Sequence, residues 1–458
     1  MLNLVITLRQ KTHEVWRSGF VRSVAVVASG TAGAQAITMA FAPLITRLYG
    51  PEAYGVQGTF MAILGVAVPV GALAYPISIV LPRRDEEALG IIQLSAYISV
   101  VIAALLAFGL WMGGEEFISL LEIESVGNFI YFLPVAVLFA AWKQIAQQWL
   151  IRKKEFGVIA RSALATSGAL NSARALAGFV NPIGAVLIVL ATLVEALHAL
   201  LMLIGIRQRT TIDRSVPSEA PKFSIIELAR RHRDFPLYRA PQIMINSASQ
   251  SFPMLMLAAF FGPSTAGFYM LSRMVMGMPT TLVGMAVSDV FYSRITEAAH
   301  NSENLSKHIL RATGVLALIG VIPFSIVIFF GPWIFSLVFG AEWSVAGEYA
   351  RWLAFFFFFN LVNKPSNAAV PVLGIQRGLL FYEVLSTGGK VAGFFLGAYW
   401  LNSDVWAVAI FSIIGIVAYS GVMLWIYFCA VRWDRDAKKN LINRTMNSRV
   451  MCMVSGDK

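Results

Sequence analysis

Charge and cysteine are both scarce in this 458-residue chain. Charged side chains make up 13% of it, about half of the ~25% usual in soluble domains. Hydrophobic residues make up 57%, and the mean hydropathy is +0.69. That deficit excludes a water-solvated globule, because long apolar runs with so little charge need lipid as solvent. The two cysteines, Cys429 and Cys452, suit neither a metal site nor a disulfide framework. They are expected as an apolar filler and a free thiol in a reducing compartment. No cofactor and no metal are expected. Catalytic signatures are missing as well: there is no HExxH and no nucleophile–base spacing. The stretch "STGGKVAG" lacks the first glycine of a phosphate loop and the Ser/Thr after its lysine. An enzyme is not expected. Arg9, Lys11 and Arg17 precede an apolar run that has no small-x-small cleavage pattern, which reads as an uncleaved first span.

What is present is a series of apolar windows of about 20 residues, each long enough to cross a ~30 Å hydrocarbon core as a helix. They fall near 20–43, 56–81, 88–112, 127–150, 157–179, 182–206, 239–261, 266–291, 308–330, 344–370, 377–400 and 404–430. The expectation is an all-α polytopic membrane protein of about twelve spans. The fifth window, "RSALATSGALNSARALAGFV", is rich in small and polar residues and fits only an interior helix. Basic residues collect in alternate connections: Arg22, Arg83 and Arg84, Arg152 to Lys154, the loop from Arg207 to Arg239, and the tail from Arg432. The stretch "GGEEFISLLEIES" on the other side is purely acidic. This asymmetry follows the positive-inside rule and places both termini in the cytoplasm. It also accounts for most of the net charge of +11, so no nucleic-acid partner is needed.

Two turns repeat. "LYGPEAYG" and "FFGPSTAGFY" both read aromatic-Gly-Pro-x-x-x-Gly, with Gly50 and Gly262, and Gly55 and Gly267, the same distance apart. Each joins the first and second helices of a six-helix half. Six is even, so both halves cross in the same sense, as a parallel repeat about an axis along the membrane normal. The expected organisation is an N-terminal segment 1–19, a lobe 20–206, a basic linker 207–238, a second lobe 239–430 and a basic tail 431–458.

A charge inside a span costs about 2.5–3.5 kcal/mol on insertion scales, so each needs a reason. Lys143, Arg174, Arg273, Lys364 and Lys390 lie within windows, against few acids such as Glu195. Steps of three and four align Gln242, Asn246, Ser249 and Pro253 in the seventh window. Asn360, Asn363, Lys364 and Asn367 cluster in the tenth. Amides and cations in this number suit a water-filled lumen. The stripe Ser29, Gly33, Ala36 and Ala40 in the first window suits a packing seam instead. A cationic lumen suits an anion. Arg273 and Lys364, helped by Arg174, Lys143 or Lys390, are the candidate phosphate ligands, with Gln242, Asn246, Asn360 and Asn367 for sugar hydroxyls. The alternative for each cation is snorkelling or a structural ion pair. Glu195 and His198, three residues apart, suit proton coupling or a fixed pair with an interior cation. The basic inner rim, including Arg83, Arg84, Arg152, Lys153 and Lys154, suits anionic lipid as well as topology.

The runs "FAPLITRLYGPEAYGVQGTFMAI", "YPISIVLPRRDEEA", "DFPLYRAPQIMINSASQSFPMLMLAAFFGPSTAGFYMLSRMV", "VFGAEWSVAGEYAR" and "KPSNAAV" resemble bacterial polysaccharide exporters of the Wzx type. These are members of the multidrug/oligosaccharidyl-lipid/polysaccharide exporter superfamily. The resemblance spans roughly residues 20–430. It implies two six-helix lobes, alternating access and flipping of an undecaprenyl-diphosphate-linked oligosaccharide across the bacterial inner membrane, for O-antigen, capsule or exopolysaccharide. In the related lipid II flippases, arginines of the first, second and eighth spans line the cavity. The resemblance thereby implies roles for Arg22, Arg47 and Arg273. A polysaccharide polymerase or copolymerase stays open as a protein partner. The other reading is a cation or drug antiporter of the same superfamily, coupled to H+ or Na+. It expects a carboxylate in the first or seventh window, and neither has one.

Overall fold

The computed structural model describes residues 19–455, apart from 121, 210–223 and 302. Every regular element among them is helical. In chain order these are α1 Gly19–Gly71, α2 Asp85–Leu120, α3 Leu133–Arg152, α4 Phe156–Val180, α5 Gly184–Arg209, α6 Ile225–Arg231 and α7 Ala240–Phe261. Then follow α8 Pro263–His300, α9 Leu305–Phe339, α10 Ser344–Val362, α11 Lys364–Leu373, α12 Gln376–Phe395 and α13 Asp404–Ser455. All twelve apolar windows fall on helix. Seven of the described helical stretches are long and apolar enough to cross a membrane, so this is a multi-pass membrane protein.

α1 covers two windows, broken at Gly50, where φ is 67° and ψ is 174°. Gly262, between α7 and α8, repeats that conformation with φ 86° and ψ 175°. This region is essentially closed to any residue but glycine. Each glycine is followed by a proline, which is tolerated at the start of a helix because its missing N–H has no partner there anyway. The two turns also pack on each other reciprocally. A Cβ on Gly55 would overlap the Pro263 carbonyl, and one on Gly267 would overlap the Pro51 carbonyl. The Gly55 and Gly267 sites each lie against the other's backbone nitrogen, 3.0 Å from the added carbon. Such i-to-j, j-to-i contact is the mark of a local two-fold relation, so the sequence repeat is also a repeat in space at this point.

The chain divides into two compact units: 1–271 with 338–343, and 272–337 with 344–458. α7 and the first turns of α8 thus go with the first unit, fastened by the paired Gly-Pro turns, whereas the lobes read from the sequence divide near 207–238. Within the first unit, α4 lies along α1. Ser167 Oγ donates to the Ala34 carbonyl at 2.8 Å, and Asn171 Nδ2 donates to Thr38 Oγ1 at 3.2 Å. Gly33 faces the Leu164 side chain. The first window therefore meets α4 through Gly30, Gly33, Ala34 and Thr38, while Ser29, Ala36 and Ala40 of the expected stripe are exposed, and Asn171 Oδ1 is buried without a hydrogen bond. Phe60, Ile130, Val137 and Ile188 form the core beside this contact. Ile123 and Val126 of the acidic stretch are buried in that core, while Glu122 and Glu124 stay exposed.

At the basic end of this unit, Asp85 pairs with Arg152 at 3.0 Å and with Lys153. Arg152 also donates to the carbonyls of Ile79 at 3.2 Å and Pro82 at 2.6 Å. These two members of the expected lipid-facing rim are thus engaged inside the protein, while Arg83, Arg84 and Lys154 are exposed. The short helix α6 docks beside them. Leu228 is fully buried, Tyr75 Oη donates to the Ala229 carbonyl at 3.1 Å, and Arg231 pairs with the buried Glu87 at 2.8 Å. Arg214 and Lys222 of the linker lie outside the described residues.

Candidate functional site

In the first unit, helices α1, α3, α5 and α7 line an open cavity of about 390 Å³. α3 contributes Lys143, Gln144 and Gln147, α5 contributes Glu195, and α7 contributes Ser247. The remaining wall is mostly apolar, with Met61, Leu64, Val68 and Ile243. Lys143 Nζ lies 2.5 Å from Glu195 Oε2. The structure therefore brings two candidates together and sets Glu195 beside an interior cation. His198, one turn further along α5, keeps its Nε2 buried with no hydrogen bond. Gln144 and Gln147 were not among the expected site residues. The signal was in "KQIAQQ", residues 143–148, a polar run in the middle of an apolar window.

α7 carries its polar residues on one exposed face. Arg239 Nη1 donates to Gln242 Oε1 at 2.9 Å, and Gln250 Nε2 donates to Asn246 Oδ1 at 2.7 Å. Gln242 and Asn246 are both exposed. Hydrocarbon accepts no such face without cost, so it fits water, as the 4-3-4 spacing suggests.

Arg174 and Arg47 lie in the same unit. Tyr49 Oη donates to the Arg174 carbonyl at 2.9 Å, and the Arg174 Nε is buried without a hydrogen bond. Arg47 Nη2 donates to the Val338 carbonyl at 3.3 Å, at the end of α9. A cation is favoured there because the last carbonyls of a helix carry partial negative charge. Thr46 Oγ1 donates to the next carbonyl, Phe339, at 3.3 Å. Arg22 lies on α1, but its side chain is outside the described residues.

In the second unit, the tenth window breaks between α10 and α11. Pro365 permits a fresh helix start, and Lys364 sits at the break with its stem against Gly284 of α8. A Cβ there would lie 3.1 Å from Lys364 Cε. The break gives the clustered asparagines different neighbours. Asn360 Nδ2 donates to Tyr419 Oη at 2.7 Å, whereas Asn367 is exposed and lies 3.5 Å from Asn363. Near Asn360, Lys390 Nζ lies over the Phe411 ring at 6.0 Å, and Phe356 bridges Phe411 and Tyr419 at centroid distances of 5.9 and 5.3 Å. Among the described residues, neither Lys364 nor Lys390 forms an ion pair. Arg273 is half-buried on α8, beside Ser272, which donates to the Ala346 carbonyl at 2.6 Å. The arrangement can hold an anion on half-buried cations and can offer amides to hydroxyls. No group of three metal-ligating side chains occurs among the described residues.

Comparison with known proteins gives a family, a relative and a fold. A family model described as a polysaccharide biosynthesis protein matches residues 44–348. The succinoglycan biosynthesis transport protein ExoT of Rhizobium meliloti (strain 1021) is 22% identical over 421 residues, covering 88% of this chain and 78% of that protein. Among solved structures, an inward-facing multidrug resistance MATE transporter of the MOP superfamily matches with a TM-score of 0.68 at 14% identity, over 88% of this chain and 96% of that one. The lipid II flippase MurJ in an inward closed conformation matches with a TM-score of 0.66 at 12% identity, over 92% and 93%. Likeness at that identity establishes the fold.

Proposed function

From the premise that the chain belongs to the polysaccharide biosynthesis protein family, as an exporter of the Wzx type, we propose that it flips an undecaprenyl-diphosphate-linked oligosaccharide from the inner to the outer leaflet of the bacterial cytoplasmic membrane. The diphosphate is an anion that must pass a low-dielectric layer, and it needs cations not already neutralised by acids. The observation that carries the reading is the pair of half-buried lysines, Lys364 and Lys390, which form no ion pair among the described residues. Arg273 is the third cation assigned to the headgroup. Lys143 is committed to Glu195, and Arg47 to a helix end, so both rank behind these three.

The glycan follows the headgroup along wet polar surface, for which the face of Gln242 and Asn246 is suited, while the polyprenyl tail stays in lipid. Twelve crossings in two lobes, 20–206 and 239–430, would rock about the repeat axis to change the open side. No bond is made or broken. The chemistry disfavours the cation antiporter, because the interior charges described are mostly positive. The surface polysaccharide served is an O-antigen, capsule or exopolysaccharide, and the relative that transports succinoglycan favours the last.

The test is leaflet-resolved. In cells depleted of the protein, lipid-linked oligosaccharide should accumulate on the cytoplasmic side, out of reach of an impermeant sugar oxidant. Lys364→Ala with Lys390→Ala should reproduce that accumulation while the protein remains in the membrane. Accumulation on the outer side would refute the flippase and point to a polymerase or ligase.

A further inference from the structure

The cavity of the first unit is lined by two amides, Gln144 and Gln147, one turn apart on α3 and half-buried. Among the described residues neither amide has a side-chain hydrogen-bond partner. Each carries two donors and an acceptor that are available to a bound group. Lys143 and Glu195 stand beside them and spend their charges on each other at 2.5 Å. The polar wall is therefore rich in donors and acceptors but close to neutral. That is a poor site for a phosphate, which needs unbalanced positive charge. It is also a poor site for an alkyl chain, which would leave the amides and the ion pair dry.

The rest of the lining, with Met61 and Ile243, is mostly apolar. A ligand that fits both kinds of lining has hydroxyls around one edge and C–H groups on a face, which is the chemistry of a pyranose. The volume of about 390 Å³ lies at the small end of the ~300–1,000 Å³ range of ligand sites. It holds one ring rather than a whole repeat unit. We propose that this cavity is a neutral pyranose subsite, in which Gln144 and Gln147 read the hydroxyls of one sugar and the Lys143–Glu195 pair supplies an adjacent donor and acceptor. The proposal rests on the flippase reading and deepens it.

Two measurements separate the subsite from the reading beneath it. The first needs no lipid. Ser247→Cys, in the full chain carrying Cys429→Ser and Cys452→Ser, places a thiol on the cavity wall. Millimolar methyl glucoside, galactoside or mannoside should slow its alkylation by maleimide at least threefold. The effect should vanish when Gln144→Leu and Gln147→Leu are added. If none of the three glycosides slows the reaction, or if the slowing survives in the double variant, the subsite is overturned and the cavity holds water only. The second measurement compares binding of undecaprenyl diphosphate with binding of undecaprenyl-diphosphate-hexose in nanodiscs. The sugar should tighten binding about tenfold in the parent chain, and that ratio should fall towards one in the double variant. A parent chain that binds neither lipid overturns the flippase reading. A ratio unchanged by the double variant overturns the subsite.

Discussion

The ion pair of Lys143 and Glu195 shows how a single side chain decides between readings. Each is less than a third exposed, 27% and 17% for the two side chains, so removal of one partner strands the other in a poorly solvated place. Losing a charged hydrogen bond of this kind costs about 1.5–3 kcal/mol, whereas replacing both partners by apolar residues of similar size costs less. Lys143→Met alone and Glu195→Leu alone should each lower the melting temperature in detergent more than the two together do. Equal or additive losses would mean that the charges do not depend on each other. The sequence supplied both residues and their spans. It gave no account of their meeting, because helices α3 and α5 are brought side by side only by packing.

Among the elements, the Gly-Pro turns and the linker helix α6 make the firmest predictions. Gly50→Ala puts a Cβ into a conformation that costs about 1–3 kcal/mol. Gly55→Ala and Gly267→Ala drive a methyl group into the opposing turn's backbone, where overpacking costs about 1–3 kcal/mol. All three should reduce the amount of folded protein extracted from membranes. Wild-type yield from Gly55→Ala would show that the reciprocal contact is not what fastens the turns.

The α6 contact should respond to acid. His232 stands beside Glu87 at 4.0 Å, next to Arg231, and faces the ring of Phe235 at 6.2 Å. Burial holds its imidazole below the ordinary value of 6.5, with Glu87 opposing and Arg231 reinforcing the shift. The docked helix therefore prefers neutral His232. Its contribution is complete above pH 6.5 and is lost as pH falls through the lowered value. Amide exchange of 225–231 should quicken on acidification below pH 6.5, and His232→Gln should flatten that response. Faster exchange on raising the pH, once intrinsic rates are divided out, would contradict the sign.

For the molecule as a whole, the charge asymmetry predicts an orientation. Arg84 and Glu116 lie at opposite ends of α2, and the positive-inside rule puts the arginine in the cytoplasm. In a background without Cys429 and Cys452, Glu116→Cys should react with an impermeant maleimide in intact cells. Arg84→Cys should react only after permeabilisation. The opposite pattern would invert the protein and the direction of flipping with it.

The sequence alone determined the solvent, the helical class and the repeat, and it predicts the sense of insertion. Each of these is local or additive: hydropathy is summed over a window, basic residues are summed over loops, and a Gly-Pro turn carries its own backbone demand. The packing seam of the first window was legible only in part: Gly33 meets Leu164 of α4, but Ser29, Ala36 and Ala40 are exposed, and the contact runs through Gly30, Ala34 and Thr38 instead. Tertiary structure alone decided which charges neutralise each other, that Arg47 closes a helix end and that Gln144 and Gln147 share a cavity with Ser247. It also decided that Pro365 splits the asparagine cluster of the tenth window between two sets of neighbours. Those outcomes depend on distances between residues tens to hundreds of positions apart, and helical periodicity fixes a face of one helix without saying which other helix will lie against it.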